Sequence, residues 1–290
     1  METAIVTVQV PWLSKSSGVD KALIMTATLN NTVIHSKYPE VSGFKINRGF
    51  SLMEVMIGVF LSTLLISGIV QLLSGSVSTY RLQLSQGQIE ESGRYARDVL
   101  ISHITQAGYQ PEPWQDRPAL AALTNESLDG GLLPGDQLGL QRWSMRNCYG
   151  NENPVKDGDG RPAFHLLQAH FRVNDSKNLA ITCRYGPDAS SLLTQMNNFG
   201  LVEDVESMQV LYAEDRDGDN IADSWVTGQA WQQESNIRSI RVALLFSTRH
   251  AFRQPASEQI TLLDQTITTP ADGHLRKVSL LTSAIRGRLN

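Results

Sequence analysis

The sequence predicts an α+β protein in which a long N-terminal helix, membrane-spanning in its first half, packs on a C-terminal antiparallel β-sheet domain. Three observations carry this expectation. Residues 50–73 hold one charge, Glu54, in twenty-four positions. No proline interrupts the chain from there to Gly108. Beyond residue 110, short apolar runs alternate with clusters of Pro, Gly, Asn and Asp.

A helix needs about 20 apolar residues to cross the hydrocarbon core of a bilayer, so residues 50–73 are long enough to span. Lys45 and Arg48 precede the block and the next basic residue is Arg81. By the positive-inside rule the short N-terminal side stays cytoplasmic and the large C-terminal part is exported. The helix is expected to continue to about Gly108. Tyr80 and Leu84, then Tyr95, Val99, Leu100 and Ile104, keep helical spacing, with Glu90, Glu91, Arg94, Arg97 and Asp98 on the other faces. Gly87 and Gly93 are weak points, each costing about 1 kcal/mol relative to alanine. Gly108, followed by Pro111 and Pro113, is a natural stop.

Downstream, the runs 137–145, 163–173, 179–185, 205–213, 237–247 and 276–285 read as strands. Ile237, Ile240 and Val242 lead into Ala243-Leu244-Leu245-Phe246, rich in strand formers. No helical segment separates these runs, which favours antiparallel pairing over βαβ units. The amphipathic half of the helix then packs on one sheet face. The expected division is 1–49, 50–79, 80–109 and 110–290.

Composition sets further bounds. With 41% hydrophobic and 19% charged residues the chain can build a core. A formal net charge of -4 gives no general pull toward nucleic acid. Cys148 and Cys183 are the two cysteines. Their spacing suits one disulfide in an oxidising compartment or two free thiols in a reducing one, and export favours the disulfide. Residues 1–49 carry five basic and three acidic side chains and lack an ordinary secretory signal.

At the membrane boundary stands Arg48-Gly49-Phe50-Ser51-Leu52-Met53-Glu54-Val55-Met56-Ile57. This resembles the class III signal of type IV prepilins and type II secretion pseudopilins. The resemblance implies a pilin-like fold. It also implies cleavage between Gly49 and Phe50 by a prepilin peptidase that then N-methylates Phe50. Glu54 becomes the fifth mature residue, where the family places its glutamate. The chemistry is coherent. Glycine leaves the scissile backbone uncrowded, and cutting exposes a cationic amine. Glu54 sits one turn into hydrocarbon, where an unpaired acid costs on the order of 2.5 kcal/mol or more. Pairing with the Phe50 amine of a neighbouring subunit relieves that cost and rewards correct axial register. An ordinary membrane anchor with an interfacial glutamate is the plainer alternative. Gly58, Ser62, Ser67, Gly68, Ser74, Gly75 and Ser78 either permit close helix contact or are simply tolerated.

The likeness extends beyond the signal. Residues 88–100, Gln106-Ala107-Gly108-Tyr109, residues 201–212, residues 237–245 and Leu275-Arg276-Lys277-Val278 together resemble PilW-type minor pilins, over roughly residues 45–290. The family tends to place a cysteine pair in the sheet region, which implies a Cys148–Cys183 bridge contributing about 3–4 kcal/mol. The leader is longer than the family's usual one, and a start at Met25 would shorten it. The resemblance implies a low-abundance subunit that joins other minor pilins in a priming or tip complex on which major pilin polymerises. It would be anchored first in the bacterial inner membrane with its C-terminal domain periplasmic, then carried to the fibre. Attachment, twitching motility or DNA uptake are outcomes of the whole machine.

Asp215, Asp217, Asp219 and Asp223 fall at positions 1, 3, 5 and 9 of an EF-hand-like loop, with the Ile221 carbonyl at position 7. Asn220 replaces the glycine of position 6 and Val226 the glutamate of position 12. Calcium binding of roughly millimolar strength is the most this set allows, and a solvated Asp/Gly turn explains it as well. Asp157-Gly158-Asp159-Gly160 reads as a turn. No cofactor is required. The chain has no P-loop, Gly-x-Ser-x-Gly, His-Glu-x-x-His or Cys-x-x-Cys motif, and His165 and His170 read as strand residues, so an enzyme is not expected. Trp114, Trp143, Trp225 and Trp231 are expected to be buried or half-buried. Competing readings are a minor pseudopilin of a type II secretion system and a tip-exposed adhesin or DNA-binding module.

Overall fold

The structure, a computed structural model, describes residues 49–111, 120–252 and 254–288. Residues 1–48, among them Met25, Lys45 and Arg48, lie outside the described residues, as do Pro113 and Trp114. The described residues fall into two units that divide between Val59 and Phe60.

One helix, α1, runs from Leu52 to Gln106 over 55 residues. The Ser51 carbonyl accepts from the Glu54 and Val55 N–H groups at 3.0 and 3.2 Å, which sets the first turn. Glu54 stands in that turn, where the helix dipole favours an acid. At the other end Gly108 takes φ +74°, a left-handed position that glycine fills without a Cβ penalty. Its N–H donates to the Gln141 carbonyl at 2.8 Å, which turns the chain from the helix onto a strand.

Within the second unit the buried face of α1 is Ile89, Gly93, Ala96, Leu100 and Ile104. Tyr80, Leu84 and Tyr95, expected on that stripe, are exposed, and Val99 is half-buried. Leu100 and Ile104 of the expected stripe are buried, and the small Gly93 and Ala96, which permit close approach, continue that face in place of Tyr95 and Leu84. Gly93 is no weak point: a Cβ there would touch Ser279 and Phe246, and the helix runs through Gly87 and Gly93 unbroken.

The remainder is antiparallel β structure in two four-stranded sheets and a hairpin, where the sequence suggested a single sheet. The first sheet has the order β1 (Leu138–Ser144), β2 (His165–Val173), β3 (Leu179–Gly186), β4 (Leu193–Val202). The second contains β5 (Val205–Glu214), β6 (Ser224–Val226), β7 (Ile237–Ser247) and β10 (Arg276–Ala284), in the order β10-β7-β5-β6. Strands β8 (Gln259–Leu262) and β9 (Gln265–Thr268) form the hairpin. Its Leu262 and Ile267 cover Ala243 and Leu245 on the outer face of β7. This explains the unbroken apolar run of β7, a strand buried on both faces.

One core cluster joins α1 to both sheets. Leu167, Ala169, Phe171 and Val173 alternate inward along β2, as do Leu179, Ile181, Cys183 and Tyr185 along β3. His103 meets the Phe171 ring edge-on at 5.1 Å. Its Nδ1 lies 3.4 Å from Arg142 Nη1, and burial, aided by Arg142, drives its pKa down to about 3.

The start of β5 is sealed by residues 130–136. Met208 N–H donates to the Pro134 carbonyl at 3.2 Å and Asp136 N–H to Met208 at 2.7 Å. The buried Asp136 carboxylate accepts from Val210 and Gly130 N–H at 2.7 and 3.0 Å. Burial raises its pKa to about 6 despite those donors. A carboxyl raised in the folded state binds its proton more tightly there than in the unfolded chain. Its contribution is therefore full below pH 3.8 and falls as pH rises toward 6. Urea unfolding of wild type and Asp136→Asn across pH 3.5–7 should show the difference moving against wild type by about 3 kcal/mol.

At the head of β10, the Arg276 side chain is 1% exposed and forks onto two carboxylates. It donates to Glu206 at 2.6 and 3.2 Å and to Asp272 at 2.9 and 2.6 Å. Lys177 adds a bond to Glu206 at 3.0 Å.

Candidate functional site

The first candidate site is the start of α1. Gly49 and Phe50 precede the helix and Glu54 stands in its first turn, so the three residues read from the sequence lie together. Phe50 is 81% exposed, and Glu54 has no ion-pair partner among the described residues. An 18-residue window of α1 reaches mean hydropathy 2.2 with none of it buried. By length and composition this helix is able to cross a membrane, and so much bare apolar surface requires lipid or other helices around it.

The second feature is the disulfide. Cys148 and Cys183 are joined, with Cα atoms 5.9 Å apart. The bridge ties the loop after β1 to β3, and that loop also grips β4. Cys148 N–H donates to Gln195 Oε1 at 3.0 Å, and the Tyr149 hydroxyl donates to the Gln195 carbonyl at 2.5 Å. Gln195 is an extra residue between the pairs Cys183–Met196 and Arg184–Thr194, so its carbonyl needs a partner from outside the ladder.

The third feature is the acidic loop between β5 and β6. Asp215, Asp217 and Asp223 bring their carboxylates within 4.8 Å of one another. Asp219 falls outside this group, and its Oδ1 accepts from Ile221 N–H at 2.7 Å. Asn220 takes the left-handed conformation, φ 68°, that position 6 demands. Asp215 is buried and fully engaged. Its Oδ1 accepts from Gly218 N–H at 2.7 Å, and Oδ2 from Asn220 N–H at 3.0 Å and from Arg238 at 2.8–2.9 Å. Burial pushes its pKa up, but Arg238 and the two backbone donors outweigh this and hold it below the usual range. A guanidinium already neutralises the best-placed ligand, so the donor set does not suit a tight calcium site. Buried Glu214 anchors the same loop, accepting from Gln232 and Gln233 N–H at 2.6 and 3.1 Å and from Arg216 at 3.1 Å.

The smaller expectations resolve simply. Asp157 Oδ1 accepts from Asp159 and Arg161 N–H at 3.0 and 2.8 Å, closing a turn. His165 and His170 are β2 residues, and His165 stacks near Tyr185. Trp143 and Trp231 are half-buried, while Trp225 lies at the surface with the Arg241 guanidinium 4.0 Å above its ring. Sequence reasoning missed Arg238 and Arg276 as partners of buried acids. Both stood inside blocks quoted for the family likeness, and neither carries a local signal of its long-range partner.

No curated protein matches this chain in sequence. A solved type IV-like pilin from Thermus thermophilus aligns with 69% of this chain and 97% of its own, at 18% identity and a TM-score of 0.42. The stretch that includes β3 to β10, residues 171–287, matches the family model described as type IV pilus-assembly protein W.

Proposed function

We propose that this chain is a PilW-type minor pilin, cleaved after Gly49, N-methylated at Phe50, and held in the inner membrane by the first half of α1 before it enters a type IV pilus. The observation that carries the reading is Glu54, an acid without an ion-pair partner among the described residues, one turn into a bare apolar helix that begins beside a Gly-Phe junction. The family-model match over residues 171–287 supports the same reading independently. Within the fibre, Glu54 pairs with the Phe50 amine of a neighbouring subunit. The β domain joins other minor pilins in a priming or tip complex, on which the major pilin extends.

The test is the mature N-terminus. Mass spectrometry of protein purified from its native host, with the prepilin peptidase present, should find a chain that begins at Phe50 and carries one added methyl group. Retention of residues ahead of Phe50 would overturn the reading. A type II secretion pseudopilin shares this processing, and the genes adjoining this one separate the two.

A further inference from the structure

We propose that β10 is a docking edge, built to receive an extended, acid-bearing strand from a different polypeptide. Every sheet ends in edges whose unpaired N–H and C=O groups recruit other strands unless they are blunted. Three of the four edges of the two four-stranded sheets are blunted. On β1, Gln141 N–H donates to Ala122, and Gly139 and Gln141 accept from Thr124 and Gly108. β4 shifts register three times against β3 and places Asn198 at φ 49°, so its rim is bulged. β6 is only three residues long.

The fourth edge has none of these devices. β10 pairs with β7 over nine residues without a register shift. Residues 278–284 read Val-Ser-Leu-Leu-Thr-Ser-Ala, with neither charge nor proline. The direction of the free groups follows from the ladder. Ile285 N–H donates to the Arg238 carbonyl, and Thr248 N–H donates to the Leu275 carbonyl. Because bonded pairs alternate along an antiparallel ladder, Lys277, Ser279, Leu281 and Ser283 exchange bonds with β7. Val278, Leu280, Thr282 and Ala284 therefore present N–H and C=O to the open side. No described residue pairs with them.

That side opens on a groove of about 610 Å³ between α1 and β10. Gly87 and Gly93 keep its helical wall low, and consecutive residues Lys277 to Leu280 form the other wall. Lys277 is neutralised by Glu90 at 2.7 Å. Arg94 and Arg97 also line the groove, as does Glu91; none of the three has an ion-pair partner among the described residues, so the two arginines leave the groove positive. Both arginines lie by the N-terminal half of β10, where a strand added antiparallel brings its C-terminal end. The charge that fits there is a carboxylate near the end of the incoming strand.

A second copy does not fit as the occupant. Lys277 lies beside Glu90, Ser279 beside Gly93 and Gly287 against Ala107, so β10 runs in the same direction as α1. Antiparallel pairing of two β10 strands about a two-fold axis would point the two helices in opposite directions, which two chains inserted alike in one bilayer cannot do. This exclusion rests on the membrane-anchored reading above; the open edge itself does not.

The test uses the full chain in detergent and a fluorescent octapeptide of alternating threonine and valine that ends in two aspartates. Saturable binding by anisotropy is expected, with amide exchange slowed at Leu280 and Thr282. Leu280→Pro removes an outward N–H and spares the β7 ladder, and should weaken binding about tenfold or more. Leu280→Thr should bind like wild type. Arg94→Glu with Arg97→Glu should weaken binding about fivefold. Thermal unfolding checks that each variant folds, and Thr282→Pro replaces Leu280→Pro if the latter does not. No saturable binding by wild type, or equal binding by the folded proline variant, overturns the proposal. So does a wild-type dimer that the proline variant abolishes, which would make a second copy the occupant. The N-terminus of the mature chain reads out separately, so failure here leaves the pilin reading intact.

Discussion

Cells carrying Glu54→Ala are expected to process the chain normally and yet to lose roughly nine-tenths or more of it from sheared fibres. On the proposed reading the cut depends on Gly49 and the basic approach, which the substitution leaves alone. Incorporation would depend on an attraction that another subunit supplies, because Glu54 has no ion-pair partner among the described residues. With alanine the helix sits more comfortably in lipid, and the reward for leaving it at the correct height is gone. Glu54→Gln separates charge from polarity: if charge is what counts, glutamine behaves like alanine. The measurement is an immunoblot of fibre and membrane fractions alongside mass spectrometry of the N-terminus. Normal fibre content in Glu54→Ala would refute the pairing role.

Arg276→Ala is expected to destabilise the β domain by about 2–3 kcal/mol, below the range for a fully buried pair because Asp272 is a third exposed. Half-buried Glu206 and Asp272 would lose their shared cation, and of the two Lys177 reaches only Glu206. Arg276→Lys should recover a minor part, because an ammonium cannot fork onto two carboxylates. The pH dependence has a definite sign. Hydrogen bonding by Arg276 lowers the Asp272 pKa far below 3.8, and for Glu206 burial opposes the shift but Arg276 and Lys177 prevail. Carboxyls lowered in the folded state contribute fully above their unfolded values and lose that contribution as pH falls through the folded ones. The gap between wild type and Arg276→Ala should accordingly be full at pH 7 and begin to shrink only below about pH 4, closing as pH falls through the folded values. Urea unfolding at the two pH values checks this.

The legible parts of the fold were those with a repeating signal. Six apolar runs became β1, β2, β3, β5, β7 and β10 with boundaries within about two residues, because each buries a face and so carries a period. β4 escaped because it is polar and largely exposed, a rim strand held by bulges and by the Tyr149 hydroxyl instead of by burial. The β8–β9 hairpin escaped because its four-residue strands show too few positions to reveal a pattern. Splitting into two sheets was illegible for another reason: strand order is a long-range property that no local window contains. Among the candidate sites, Gly49, Phe50 and Glu54 were readable as a motif because they are adjacent in sequence, and the structure places them together at the start of α1. The acidic loop was readable as spacing, but its Arg238 lies 23 residues away from Asp215 and changes what the spacing means.

The core cluster takes nothing from α1 before Ile89. A domain whose interior is finished without the greasy half of its helix has no reason to reorganise when that half changes surroundings. On the pilin reading proposed above, extraction from a bilayer would exchange lipid tails for neighbouring helices while the exported part travelled as a rigid passenger. Work done in lifting such a subunit would then be done against lipid and not against the fold.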